Sequence, residues 1–287
     1  VSLALYFAAT SPTGHWIHDL SPFLVRFGDN FGIRYYGLAY VIGFVACGWL
    51  LRRYHRAGRT PLDANAGADL VFALVIGTLL GGRLGYFLLY QLDTIGRDPL
   101  AFFRVWEGGM ASHGAFLGVT LALWWFARQK RIAMLHLGDL VATTAPVGIF
   151  FGRVANFWNG ELWGRISDVP WAVIFPASAT PGMKVHLIPP RHPSQLYEAA
   201  TEGLVLFLYC QWRLWRTDAV ARQPGRLAGE FLVGYAFVRM FCEQFREPDA
   251  SLLFGVSRGT FYSVFLIGAG LFLILRARRA AAAPSAR

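Results

Sequence analysis

Between Gly152 and Gly164 the chain reads Gly-Arg-Val-Ala-Asn-Phe-Trp-Asn-Gly-Glu-Leu-Trp-Gly, directly after an apolar run from Leu140 to Phe151. Arg153, Asn156, Asn159 and Glu161 fall within nine positions. An apolar segment does not end in that much hydrogen-bonding capacity without a polar partner, protein or ligand. Other apolar runs are also interrupted by ionisable side chains: Arg83, His113, Asp139, Glu198, and Arg239 with Glu243, while Tyr36 opens the first run. Such residues are costly inside a bilayer and mark function by default. Structural roles compete with that reading. Arg239 and Glu243 are four apart and spaced to pair on one helix face. Arg83 lies in Gly81-Gly82-Arg83-Leu84-Gly85, where glycines permit close helix approach, and suits a tie to a carboxylate. Asp139 suits a cap on its own helix. Of seven histidines only His113 falls well inside an apolar run, with Gly114 beside it to open space.

Several chemistries have little support. His15-x-x-His18 is a loose pair, and there is no His-Glu-x-x-His or other ligand spacing, so neither a metal nor another cofactor is expected. Ser112-His113 adjacency does not make a catalytic triad. Cys47, Cys210 and Cys242 sit in or beside apolar segments and read as packing residues.

The elements that must position these side chains are membrane helices. The chain is 55% hydrophobic and 15% charged, against about 25% charged in soluble domains. A net charge of +10 would suggest nucleic acid in a soluble protein. Here the basic residues cluster between apolar runs as topology signals do, and no nucleic-acid partner is expected. Seven segments approach the roughly 20 residues of a span: 35–51, 69–90, 110–127, 138–157, 196–212, 229–246 and 259–276. Every second loop is basic (Arg52 to Arg59, Arg128 to Arg131, Arg213 to Arg226, Arg276 to Arg279), which places the N-terminus outside and the C-terminus in the cytoplasm. The expected architecture is all-α and polytopic. Residues 1–34 form interfacial helices, 35–157 hold spans one to four, and 158–195 form a proline-rich periplasmic head domain. Residues 196–279 hold spans five to seven, and 280–287 form a disordered tail. In that frame Tyr36, Arg83, His113, Arg153, Glu198, Arg239 and Glu243 converge on the outer leaflet. A transporter or channel, the competing reading, predicts polar residues at several depths, and no internal repeat supports one.

At these residues the chain resembles the bacterial phosphatidylglycerol–prolipoprotein diacylglyceryl transferases. Residues 152–164 match the family signature Gly-Arg-x-(Gly/Ala)-Asn-Phe-x-Asn-x-Glu-x-x-Gly at every specified position. Further family-like blocks are Arg34 to Leu38, Gly81 to Tyr86, Phe103 to Met110, Arg191 to Glu198 and Arg239 to Asp249, and the likeness runs from about residue 20 to 275. One departure is Ala115, where the family usually has a second glycine after its histidine.

The resemblance implies a seven-span enzyme of the bacterial inner membrane, with its site at the periplasmic-side leaflet. Its partners are phosphatidylglycerol, a prolipoprotein signal peptide with a lipobox cysteine, and membrane lipids. It would move the diacylglyceryl group onto the cysteine thiol, form a thioether and release glycerol-1-phosphate, the first step of lipoprotein maturation. The implied catalytic residues are His113 as thiol base, directly or through Tyr36 or a water, and Arg153 and Arg239 as holders of the phosphate charge. The implied substrate-binding residues are Arg83, Asn156, Asn159, Glu161, Gly164, Glu198, Glu243 and Arg246. Of these, Asn156, Asn159 and Glu161 either hydrogen-bond the head group or hold the loop, and Glu243 orients Arg239. Another lipid-modifying membrane transferase would call for an acidic metal-binding motif or a different histidine motif.

Overall fold

The structure is a computed structural model that describes residues 14–27, 32–104, 108–248 and 251–282. Four of its helices are long and apolar enough to cross a membrane: α1 (Tyr35–Arg56), α2 (Ala64–Tyr90), α5 (Met134–Trp158) and α10 (Arg258–Ala282). After α2 come the short α3 (Leu92–Arg97) and a 3₁₀ turn, Pro99–Phe103. The remaining expected spans are also helical but carry charge. They are α4 (Ser112–Lys130), α9 (Arg226–Cys242), and a continuous run of α6 (Ser194–Glu198), a π-helical turn (Ala199–Val205) and α7 (Leu206–Arg216). The short α8 (Ala219–Arg222) leads from α7 toward α9. Glu198, Glu202, Arg213, Glu230 and Arg239 depress the hydropathy of these segments, and the same residues are drawn inward to pair.

α5 is the hub and packs against α1, α4, α6, α7 and α9. Around it, Leu50, Tyr54, Leu70, Phe126, Leu137, Leu140, Leu214 and Leu227 form a fully buried core. Large apolar side chains also face outward, including Phe72, Phe116, Trp125, Phe265 and Phe272. A surface of that kind belongs against lipid. Two helix pairs meet backbone to backbone. A Cβ on Gly77 would lie 2.6 Å from the Gly118 carbonyl oxygen, and one on Gly85 2.6 Å from Gly114 Cα, so α2 and α4 touch along a glycine seam. Gly229 and Gly270 do the same for α9 and α10, each Cβ falling within 2.7 Å of the other's carbonyl. Ala115 fits because it packs against Gly82, where an added Cβ would meet its methyl at an ordinary 3.6 Å.

The termini depart from expectation. Residues 1–13 and 28–31 of the expected interfacial helices lie outside the described residues. The described part of 1–34 holds strands rather than helix: β1 (Trp16–Ile17), β2 (Phe23–Arg26) and β3 (Gly32–Arg34). The aromatic and β-branched runs here are short and Pro22 interrupts them, which favours extended backbone. β2 and β3 pair antiparallel, while β1 pairs in parallel with β4 (Val173–Ile174), Trp16 opposite Val173. At the other end α10 runs on through residues 280–282 of the expected disordered tail, as alanines are the best helix formers; residues 283–287 lie outside the described set.

Asp139 caps a helix, but not its own. Its carboxylate is fully buried and accepts from the backbone N–H groups of Gly225 and Ala228, both at 2.7 Å, at the start of α9. Between α5 and α6 the proline-rich chain forms β4 and two 3₁₀ turns, and it pairs Gly164 with Arg246 just beyond α9. This segment marks the head end of the helices.

Candidate functional site: a balanced arginine–carboxylate network

The head ends of α5, α6 and α9 and the π-helical turn meet in a network of three arginines and three carboxylates. Arg153 on α5 sends Nη1 to Glu198 at 2.9 Å, and Nε and Nη2 to Glu202 Oε2 at 3.2 and 3.0 Å. From α9, Arg239 directs Nη1 to Glu198 at 2.9 Å and Glu202 at 3.3 Å, and Nη2 to Glu243. Arg246 reaches Glu198 at 3.0 Å. Glu198 and Glu202 are fully buried, while the Arg153 and Arg239 side chains keep 19% and 13% exposure. With every member charged the formal sum is zero, which is how charges survive in a low-dielectric interior. The π-helical turn starts one residue after Glu198 and contains Glu202, and such turns recur at functional sites. Tyr235, one turn before Arg239, interacts electrostatically with both arginines and both buried glutamates.

The other expected site residues sort into distinct groups. Arg83 is buried and meets no carboxylate among the described residues. All five of its N–H groups go to main-chain carbonyls: Nε to Phe102 at 2.8 Å, Nη2 to Ala101 and Arg104, and Nη1 to Gly108 and Gly109. It therefore ties down the loop between α3 and α4 and has no donor left for a head group. Asn156 and Asn159 both donate to the Glu161 carboxylate, at 2.9 and 3.1 Å, and the Glu161 carbonyl accepts from Gln195 at 2.6 Å. These residues thus brace their own loop. Gly164 serves a backbone approach within the protein: a Cβ there would lie 2.5 Å from the Phe245 carbonyl oxygen. His18 supports the loop from below, its Nε2 at 2.7 Å from the Phe157 carbonyl and its ring against Gly160. Burial lowers the His18 pKa, with the Phe157 contact opposing.

His113 stands apart from the network. It is exposed on α4, and its ring meets Tyr262 of α10 edge-on at 6.2 Å. Tyr36, also exposed, packs on Tyr40 at 5.5 Å. The first turns of α10 connect the two regions. Gly259 lies so close to Glu243 that a Cβ would strike the carboxylate, and Tyr262, three residues on, faces His113. Glu202 and Gly259 escaped the sequence reading. The available signals were a glutamate four residues after Glu198 inside an apolar run, and a glycine opening a long helix.

Polar groups are not confined to the head end. At the other end of α9, Glu230 takes a bidentate pair from Arg213 at 2.7 and 2.8 Å, Arg226 at 2.9 Å and the Tyr209 hydroxyl at 3.1 Å.

Against this geometry, the model of the prolipoprotein diacylglyceryl transferase family matches residues 22–276, nearly the whole chain. The chain belongs to the prolipoprotein diacylglyceryl transferase family. Three curated relatives carry the name phosphatidylglycerol–prolipoprotein diacylglyceryl transferase. That of Rhodospirillum rubrum is 46% identical, the match covering 91% of this chain and 93% of the relative. Those of Pseudoalteromonas atlantica and Rhizobium meliloti are 42% and 43% identical, over 91% and 92% of this chain and 90% and 95% of theirs. In this diacylglyceryl transferase the family signature thus supplies one arm of the network, Arg153, together with the braced loop that follows it.

Proposed function

We propose that Arg153 and Arg239 hold the phosphodiester of phosphatidylglycerol while this diacylglyceryl transferase moves the diacylglyceryl group to the lipobox cysteine of a prolipoprotein. The thiol sulfur attacks the glyceryl carbon that bears the phosphodiester oxygen. The C–O bond breaks, the C–S thioether bond forms, and glycerol-1-phosphate leaves with the bonding electrons. The thiol proton passes to His113, directly or through Tyr36 or a water. The observation that carries this reading is the pair of arginines that stay partly exposed within a charge-balanced network. Each Arg153 terminal nitrogen carries a second N–H beyond those on Glu198 and Glu202, and Arg239 Nη2 one beyond Glu243. Planar, permanently charged forks suit phosphate oxygens and the charge that grows on the leaving group. Glu198, Glu202, Glu243 and Arg246 position the arginines. Arg83, Asn156, Asn159, Glu161 and Gly164 hold the surrounding loops.

This reading takes the seven helical segments as seven spans, with the N-terminus outside, the C-terminus cytoplasmic, and the site at the periplasmic-side leaflet of the inner membrane. The alternation of basic loops supports it, as does the gathering of the network beside the 159–193 segment. Reconstitution with phosphatidylglycerol and a lipobox peptide is expected to yield the thioether peptide and glycerol-1-phosphate. A His113→Gln variant is expected to bind lipid and lose turnover. Wild-type turnover in that variant would remove His113 from the mechanism.

A further inference from the structure

A cavity of about 680 Å³ opens at the head end, bounded by Arg165 and Ile166, by Glu243, Gln244, Glu247 and Pro248 after α9, by Leu252, Gly255, Val256 and Ser257, and by Thr260 on the first turn of α10. Its size is in the range of roughly 300–1,000 Å³ typical of ligand clefts. Glu243 belongs both to the cavity and to the arginine network, so the two are contiguous. Thr260 lies between Gly259, which abuts Glu243, and Tyr262, which faces His113. A group held in the cavity therefore sits beside the network at Glu243.

The charge of the cavity selects its occupant. Among its described lining residues are two carboxylates, Glu243 and Glu247, and one guanidinium, Arg165. The arginines that pair with those carboxylates, Arg239 and Arg191, are not among the lining residues. Arg165 Nε is committed to the Arg246 carbonyl at 3.1 Å. The described lining thus carries one more carboxylate than guanidinium, which disfavours a phosphate, whether on the lipid or on the leaving glycerol phosphate. Gln244, Ser257 and Thr260 supply amide and hydroxyl groups, and Ile166, Leu252 and Val256 supply apolar contact. That mixture fits an uncharged or basic polypeptide.

We infer that this cavity is the seat of the acceptor chain just C-terminal to the modified cysteine. The inference rests on the acceptor being a prolipoprotein, whose chain must leave the bilayer and enter water at the level of the reaction. The lining comes mostly from segments outside the long helices, where such a chain emerges. Two carboxylates on its wall make acidic residues after the cysteine unfavourable.

The test uses the full-length enzyme with phosphatidylglycerol vesicles and three lipobox peptides that differ only in the two residues after the cysteine: Ser-Ser, Asp-Asp or Lys-Lys. Relative to Ser-Ser, the peptide KM is expected to rise roughly three- to tenfold for Asp-Asp and not to rise for Lys-Lys. Glu247→Lys, at an exposed position, is expected to reverse that order. Val256→Trp, which narrows the cavity from its rim, is expected to raise the Ser-Ser KM while the lipid KM holds. A peptide KM indifferent to charge and to Val256→Trp would overturn the inference, as would a shift in the lipid KM instead. Wild-type turnover of the Ser-Ser peptide separates these outcomes from a failure of the transferase reading itself.

Discussion

α9 carries one arginine–carboxylate cluster at each end, and they are built differently. At its start, Glu230 is the one carboxylate shared by Arg213, Arg226 and Tyr209, and Arg213 meets it through Nε and Nη2. The remaining Arg213 Nη1 bonds Thr217 at 3.2 Å. At its end, three carboxylates share three arginines through single-oxygen contacts drawn from α5, α6, the π-helical turn and α9. The first cluster centres on one carboxylate and staples α7 to α9. The second keeps forked donors partly exposed beside a cavity. Buried ion pairs contribute little stability over apolar replacements, so the more elaborate of the two is better explained by what its free N–H groups can hold. Ionisable residues inside a membrane protein therefore do not all point to a site. Arg83, with all five N–H groups on main-chain carbonyls, belongs with the stapling group.

The comparison makes graded predictions. The largest effect is expected from Arg153→Lys and Arg239→Lys, which keep charge and lose the planar fork: kcat/KM should fall by about 100-fold or more. Arg213→Lys should change kcat/KM only a few-fold. Steady-state assays that find equal losses at both ends would erase the functional distinction. Next come Glu202→Gln and Glu230→Gln. Each breaks a buried pair, a change that costs about 3–5 kcal/mol in typical cases, so both should lower the thermal midpoint in detergent. Only Glu202→Gln should also lower turnover per folded molecule, because it releases Arg153 and Arg239 together. The smallest effect belongs to neither cluster. Burial lowers the His18 pKa from its ordinary 6.5, so the unfolded chain takes up a proton first as pH falls. The stability that neutral His18 contributes is complete above about 6.5 and is lost as pH falls through its depressed value. Protection factors for hydrogen exchange at residues 14–18 and 172–175, corrected for the slower intrinsic exchange at low pH, should therefore fall at pH 5 relative to pH 7. Unchanged protection there would mean that His18 does not anchor the loop.

Much of this was legible in the sequence. Apolar runs of helical length announced α1, α2, α5 and α10, and the 152–164 pattern announced the family. Of the seven residues expected to converge, Arg153, Glu198, Arg239 and Glu243 meet in the network, while Tyr36, Arg83 and His113 lie apart from it. Three things were hidden for physical reasons. Arg83 is satisfied by main-chain carbonyls, and residue types do not encode main-chain partners. β1 depends on a partner strand more than 150 positions away, so local pattern suggested helix instead. The arginines of Glu202, and Arg213 for Glu230, arrive from other helices, so spacing within one helix does not announce those pairs.

The glycine seams also bear on where a lipid could pass. α2 and α4 touch along Gly77, Gly81, Gly85, Gly114 and Gly118, and α9 and α10 touch at Gly229 and Gly270. Where main chain rests on main chain there is no side chain to swing aside like a door. Those two seams behave as welds. A two-tailed lipid must therefore cross the wall of the bundle through a looser joint. Beside the Gly43–Gly148 approach of α1 and α5, Leu38, Ile42, Phe151 and Val154 line an apolar hollow of about 100 Å³ within a helical turn of Arg153.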